Sequence, residues 1–412
     1  MKVPVEISKS AQLALEGGEP VRTEFLPLTR PWIGEEEKRE AMDTLDGVWL
    51  SRGPKVSRFE DDFKAYTGAN NAIAVSSCTA ALHVSLVAAG VKEGDEVITS
   101  SLTFPATTNA VLYERANPVL VDVDRRTFNI DPTLIEKHIT AKTKAIIPVH
   151  MAGQPCDMDE ILAIAKHRNL IVIEDAAHAV GAKYGDKHAG TIGDAGCFSF
   201  HASENLVTGD GGMITARNDE FASFARVISQ HGMSATAWKR YSKEGTSHWD
   251  LVYPGFKYNM TDIEASLGIH QLRKIEKITG RRQKWSTRYD ELLADVPGIT
   301  LPYRAPGRRH ACHLYIVTLD VDKLKVSRDR FMEMLKAENI GCGIHFVSVH
   351  LQPYYMERFG YRFESYPNAA WLSNRILSLP LFPQMTENDV QDVARAVRKV
   401  IACTHLELKC HT

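Results

Sequence analysis

Several protein classes are excluded by what the 412-residue chain has little of. The seven cysteines, at 78, 156, 197, 312, 342, 403 and 410, are odd in number, scattered and never in CxxC spacing. That excludes a disulfide scaffold and a cysteine-rich zinc site, and points to a reducing, cytoplasmic setting. Neither charge sign is in excess: 49 Lys and Arg stand against 51 Asp and Glu. A nucleic-acid binder needs a concentrated basic surface, so none is expected as a partner. No apolar run approaches the ~20 residues of a membrane span, and the N-terminal stretch lacks the apolar core of a signal peptide. GxGxxG and GxxxxGK[ST] are both missing, so neither a dinucleotide nor a P-loop fingerprint is present. His150, His178, His201 and His345 show no short ligand spacing, and no metal is expected.

What is there is an alternation. The runs 72–76, 96–100, 118–123, 145–150, 170–176, 196–201 and 211–216 are short and β-rich, and helical patterns at 79–90, 132–140 and 158–169 separate several of them. Continuous apolar strands alternating with helices specify an α/β fold around a mostly parallel sheet, covered on both faces. Ligands of such sheets sit beyond the carboxyl ends of the strands. From 217 to 256 the pattern loosens into an aromatic and charged stretch, too long for an idle connection. Its Trp, Tyr, Lys and Arg residues at 238–253 suit a nucleotide diphosphate, a subunit surface or a solvated loop. A helical segment at 260–296 follows, then a smaller α+β region with strands at 313–319 and 341–346 and helices at 328–340 and 387–404. The expected division is an N-terminal segment 1–24, a large α/β domain 25–260, and a linking helix with a small C-terminal domain over 261–412.

Two strand ends carry chemistry. AVSSCTAALH (74–83) runs from a strand through small polar residues into a helix, where free N–H groups and the helix dipole make a phosphate cradle beside Ser77 and Thr79. The same Thr79 serves equally as a helix cap. IVIEDAAHAVGA (171–182) places Glu174, Asp175 and His178 past a buried strand, where a carboxylate can pair with a cationic ring nitrogen or cap a turn.

These blocks, with GDAGCFSFHASENLVTGDGGMITA (193–216), SSLTFPATTNAVLY (100–113), VDVDRRTFNIDP (121–132), IIPVHMAGQPCDMD (146–159), PGFKYNMTDIEASLG (254–268) and HFVSVHLQPYY (345–355), resemble the DegT/StrS-type nucleotide-sugar aminotransferases. The resemblance runs from PLTRPWIGEEE (27–37) to SLPLFPQMTENDV (378–390). It implies a PLP-transferase type I fold, like that of aspartate aminotransferase, and a pyridoxal phosphate (PLP) or pyridoxamine phosphate (PMP) cofactor. It further implies an amino group passed to a nucleotide-linked keto sugar, in polysaccharide biosynthesis. By the same resemblance Asp175 holds the pyridinium nitrogen protonated, making the ring an electron sink. Phe104 stacks on the ring, Thr79 and Ser199 contact the phosphate, and His178 lies beneath the cofactor. Asn259 reaches the phosphate from the neighbouring subunit, which implies a homodimer. His345, Gln352 and Tyr354 fall where relatives shape the sugar pocket.

One position departs from the pattern. The family carries its Schiff-base lysine after FSFH, and Glu204 stands there, 29 positions after Asp175 (204 − 175). A carboxylate cannot form an imine, so covalent PLP at 204 is excluded. An ionised Glu204 about 6 Å from the phosphate, at an effective dielectric of about 20, would cost roughly 3 kcal/mol, some two decades of affinity. Lys183, Lys187 and Lys257 lie elsewhere. Three readings stay open. Transamination is lost while sugar-nucleotide binding persists, with poor, non-covalent PLP binding. Alternatively Glu204 serves as general base in a modified PLP or PMP reaction beside His201, since relatives that dehydrate sugars carry histidine at the lysine position. Or a single-base change put glutamate in place of lysine. His201 itself reads first as a packed structural residue and only second as a catalytic one.

Overall fold

The computed structural model describes residues 12–234 and 250–410, except for the side chains of 405–410. The main sheet holds β1 (Asn71–Val75), β2 (Glu96–Ser100), β3 (Asn117–Val121), β4 (Thr143–Ile147) and β5 (Ile171–Asp175). After a short hairpin, β6 (Lys183–Tyr184) and β7 (Lys187–His188), it is completed by β8 (Ala195–Ser199) and β9 (Gly212–Ala216). The spatial order is β1-β9-β8-β5-β4-β2-β3. β9 runs antiparallel to both its neighbours, and every other pairing in this sheet is parallel.

Alternation along the strands divides the packing. Ile73 and Val75 of β1 join Ile173, Cys197 and Ile214 in one core, while Ala72 and Ala74 turn to the other face with Phe198 and Met213. That is the two-residue period of a sheet buried on both sides. Helix α3 (Cys78–Ala88) buries almost its whole circumference in the first core, beside residues of α4 (Pro105–Tyr113) and α6 (Asp219–Ile228). On the opposite face Phe59 and Phe63, from α2 (Pro54–Thr67), meet Phe198 and Phe200 with ring centroids 5.0–5.7 Å apart. Helix α5 (Met158–Arg168) covers the rest of that face through Met158, Ile161 and Ala165.

α1 (Glu35–Asp46) and α2 are both fastened to α7 (Asp262–Arg273) by side chains that supply missing caps. Gly53 precedes α2 and has no capping side chain, so Asp262 accepts from the N–H groups of Gly53, Lys55 and Val56 at 2.8–3.1 Å. Glu37 caps α1 at Gly34 and also receives Gln271 and Lys274. The expected helix over 260–296 is two helices, since α7 stops at Arg273 and α8 runs Ile275–Leu293 from Lys274, whose ψ of 8° breaks the ladder. α8 carries Trp285, Tyr289 and Leu293 into a separate core. There β10 (Ile299–Thr300), β12 (Tyr315–Leu319) and β13 (Ile376–Leu379) form an antiparallel sheet packed by the helices Arg328–Ala337 and Glu387–Cys410, while β11 (Arg308–Arg309) pairs with the β6–β7 hairpin.

Three further expectations are corrected. Residues 132–140 form two 3-10 turns rather than a helix, because Ile135 is their single fully buried apolar anchor. Residues 341–346 are not a strand; Gly343 makes one bridge to Ser378, and the strand lies at 376–379 instead. The loosened stretch from 217 begins with α6, capped by Asn218 and burying Ala222, Ala225 and Ile228 on one side. Of the 238–253 stretch, residues 238–249 lie outside the described residues.

Asp262→Ala removes a buried acceptor from three backbone donors. The expected loss is about 2–4 kcal/mol of unfolding free energy. A urea melt of the variant checks it, and a change under about 0.5 kcal/mol would show that α2 does not depend on this cap.

Candidate functional site

The sequence-chosen residues converge where strand ends meet helix starts. β1 leads through Ser76 into α3, and Ser77 rather than Thr79 is the N-cap, its hydroxyl accepting from Ala80 N at 3.1 Å. Thr79 therefore lies in the first turn, with Ser76, Ser77 and Thr79 all only partly covered. A Cβ on Gly212 would come within 2.5 Å of Ser77 carbonyl carbon, so glycine is what lets β9 approach this turn. Asn259 bridges through its backbone to Val75, and Tyr258 O accepts from Ser76 N at 2.7 Å. The Asn259 side chain contacts Lys257 Nζ and Met260 O.

Asp175 ends β5. Its Oδ2 accepts from the Thr107 hydroxyl at 2.7 Å and its Oδ1 from Ala177 N at 3.2 Å, with Cys78 Sγ at 4.0 Å. Burial pushes this carboxyl upward against the two hydrogen bonds, and among the described residues no lysine or arginine pairs with it. Its neighbour Glu174 is committed to structure, accepting from Gly190 N, Ile192 N and Gly193 N at 2.6–2.7 Å and contacting His150 Nε2 at 2.8 Å. Phe104 caps α4 with its ring 57% exposed and 5.5 Å from that of Phe346.

His178, Glu204 and His313 come together as a cluster. Ala152, at a φ of 56°, directs its N–H to His178 Nδ1 at 3.2 Å. The segment 311–313 is stitched to the same turn, with Ala311 N donating to Gly153 O at 2.9 Å and His313 N to Ala152 O at 3.1 Å. This stacks the His313 ring on that of His178 at 4.3 Å. Asn205 Nδ2 donates to Ala311 O at 2.9 Å, which draws the 201–205 turn inward and brings Glu204 Oε2 to 3.3 Å from His313 Nδ1. Both side chains are nearly sealed, 8% and 4% exposed.

The Glu204–His313 contact is close in distance, but neither atom finds a hydrogen-bond partner. Nor is it an ion pair. Burial drives Glu204 well above the ordinary carboxylate range, with Asp175 adding to the shift and Arg282 and the Ser199 hydroxyl opposing it. Burial drives His313 well below its usual value, reinforced by His178 and Arg282, and lowers His178 to about 3. Burial therefore favours the uncharged form of both partners, which works against the repulsion expected between an ionised Glu204 and a phosphate.

Two further readings change. His201 is exposed and pairs through Nδ1 with Ser203 Oγ at 2.8 Å, so it is His313 that accompanies Glu204. The absence of short ligand spacing gave no sign of a metal set, yet the fold gathers His178, Glu204 and His313 with candidate ligand atoms within 4.8 Å of one another. His313 was missed for the same reason: it arrives over more than a hundred residues of chain. Among the weaker sugar-pocket residues, His345 bonds Ser378 Oγ at 2.8 Å and its charge would bear on His178 and His313, whereas Gln352 precedes a short helix and Tyr354 is exposed. Lys183 and Lys187 lie on the β6–β7 hairpin, away from this set.

Comparison with known proteins was made against this geometry. The model of the DegT/DnrJ/EryC1/StrS aminotransferase family matches residues 31–398. The spore coat polysaccharide biosynthesis protein SpsC of Bacillus subtilis is 48% identical over 381 residues, covering 92% of this chain and 98% of its own. Among solved structures, Spr1654 from Streptococcus pneumoniae in its PMP form aligns at a TM-score of 0.86 and 30% identity, over 93% of this chain and all of the other, and has a PLP form as well. DesI, solved in the presence of its TDP-sugar product, aligns at 0.86 and 29% identity over 98% of this chain and 100% of its own. No helix among the described residues is long and apolar enough to cross a membrane.

The buried carboxyl has a readable pH signature. Folded Glu204 keeps its proton where the unfolded chain has lost it, so its contribution is complete below about 4.5 and drains as pH rises above that. In EDTA-containing buffer, Glu204→Gln should gain on the unaltered chain as pH climbs, by up to ~1.4 kcal/mol per pH unit for one proton. Thermal melts from pH 4 to 8 test this, and a difference that stays constant with pH would refute the neutral-carboxyl assignment.

Proposed function

Because the chain belongs to the DegT/DnrJ/EryC1/StrS aminotransferase family, we propose that it is a nucleotide-sugar aminotransferase-like protein in which transamination is absent or very weak and PLP or PMP is held without a covalent bond. The observation that carries this reading is Glu204, a nearly sealed carboxyl whose neutral form burial favours, at the place where the family resemblance sets the Schiff-base lysine.

The remaining residues suit such a cofactor. Asp175 is a buried carboxyl with no lysine or arginine partner among the described residues, and a protonated ring nitrogen would supply one. The N–H groups at the start of α3, with Ser77, Thr79 and Ser199, offer donors for a phosphate, and the exposed face of Phe104 offers a stacking surface. Asn259 would add a contact if it serves a neighbouring subunit in a homodimer. When bound, the cofactor supplies an electron sink for carbon–nitrogen bond chemistry. The chain's own part is to brace Asp175 through Thr107 and Ala177, to orient His178 through Ala152, and to hold a proton on Glu204.

That proton gives a second reading its footing. A neutral carboxyl in a dry cleft can donate and retake a proton, so Glu204 is suited to acid–base work on a sugar held beside PMP. Either reading assigns the cleft a sugar carried on a nucleotide and a cytoplasmic setting, by analogy with relatives such as DesI, which was solved with a TDP-sugar.

Absorbance titration of the purified, EDTA-treated chain with PLP and PMP, followed by borohydride reduction and peptide mapping, tests the proposal. The expected outcome is weak binding with no lysine modified, while Glu204→Lys gains a cofactor fixed at position 204. Asp175→Asn should weaken binding of both cofactors in either background. Turnover of glutamate and a nucleotide keto sugar by the unaltered chain, or a reduced adduct on Lys183, Lys187 or Lys257, would overturn it. Sugar dehydration dependent on PMP and lost in Glu204→Gln would select the second reading.

A further inference from the structure

We propose that His178, Glu204 and His313 form a binding site for a divalent transition cation of the zinc or cobalt class. The inference does not rest on the cofactor reading, since the ion is bound by these three side chains alone.

The first observation is the pair of orphaned atoms. Glu204 Oε2 and His313 Nδ1 are buried without a hydrogen-bond partner, on side chains 8% and 4% exposed. Buried polar atoms are normally satisfied, and two such orphans facing one another mark a missing partner common to both. A proton shared along their line would satisfy both, but they are not placed along a hydrogen-bonding direction.

The second observation is spacing. The two atoms are 3.3 Å apart. Ligands of a tetrahedral zinc ion at bonds of about 2.0–2.1 Å stand about 3.3 Å from one another, so a single ion fits between them with little movement. His178 is the third ligand, its candidate atom within 4.8 Å of the other two. It reaches the ion by turning a ring nitrogen and giving up the 3.2 Å bond from Ala152.

The third observation is chemistry and support. Two imidazoles and one carboxylate form a set that suits zinc, cobalt, nickel or ferrous iron rather than calcium or magnesium. Three protein ligands leave a fourth coordination position open, as catalytic zinc sites do. The ligand-bearing segments are fixed by Asn205 to Ala311 O and by Arg282 to His313 O at 3.0 Å. Arg282 opposes a cation by its charge, although its guanidinium is engaged by the carbonyls of His313 and Leu381.

The test uses the full chain stripped with EDTA and dialysed. Zn²⁺ is titrated by calorimetry and Co²⁺ by visible absorption, in the unaltered chain and in Glu204→Gln, His313→Gln and His178→Gln, with far-UV circular dichroism confirming that each variant is folded. The expected result is one equivalent per chain, an intense tetrahedral Co²⁺ spectrum, and a Tm raised by Zn²⁺, with spectrum and shift lost in Glu204→Gln and His313→Gln. His178→Gln should keep weakened binding with an altered spectrum. Failure of the unaltered chain to take up a stoichiometric ion would overturn the proposal. So would a Co²⁺ spectrum that survives unchanged in folded Glu204→Gln, because the ion would then sit on other histidines.

Discussion

The backbone clasp between 152–153 and 311–313 is the constraint on which the cleft depends. Ala152 and Gly153 accept from Ala311 and His313, and both hold positive φ angles, 56° and 90°. At Gly153 the reason is spatial as well as torsional: a Cβ there would lie 2.8 Å from Ala311 Cβ and 2.9 Å from His178 O. The same turn sends Ala152 N–H to His178. One irregular turn after β4 thus seats a segment from the C-terminal half of the chain against a loop that follows β5. It also sets the stacking of two imidazoles. Every distance in the His178–Glu204–His313 set inherits its value from this turn.

Two glutamates near neighbouring strand ends show how partner supply decides a buried carboxyl's role. Glu174 is fully enclosed yet meets three backbone N–H groups and the His150 ring. It holds the 190–193 turn in place and has no valence left for a ligand. Glu204 is nearly as enclosed, its side chain 8% exposed, but its Oε2 has none. Burial then acts on the group itself, stabilising its neutral form and silencing His313 beside it. Burial thus biases this part of the site toward its uncharged form, and a proton or a cation would change its charge by one step.

The sheet was legible because its strands are short, apolar and buried on both faces, which leaves hydrophobicity as an almost sufficient signal. All seven expected strands of the main sheet exist, with ends displaced by up to three residues where an X-Pro or an Asp-containing turn follows. Legibility failed where tertiary contacts override the local pattern. Residues 341–346 read as a strand by composition, but their backbone is taken up by Leu26 and by a single bridge to Ser378. The break between α7 and α8 has no proline or glycine to announce it. At the site, Asp175 and Glu204 could be found because the resemblance fixes their spacing along one stretch of chain. His313 could not, since no motif within a few residues ties it to His178; only the clasp does. His201 was chosen over it because it is adjacent in sequence, and adjacency on a tight turn sent its ring to solvent.

Recognition and chemistry draw on different parts of this structure. The groups suited to a phosphate and a ring nitrogen are backbone N–H groups at a helix start, hydroxyls, and an aspartate braced by Thr107 and Ala177. These are consequences of strand and helix geometry. The covalent function of a lysine, by contrast, resides in one nitrogen. Under the reading proposed above, Glu204 at the place where the resemblance sets that lysine gives up the bond to the cofactor. What changes is the chemistry available at the cleft floor, where a group able to form an imine gives way to one able to hold a proton or a metal ion.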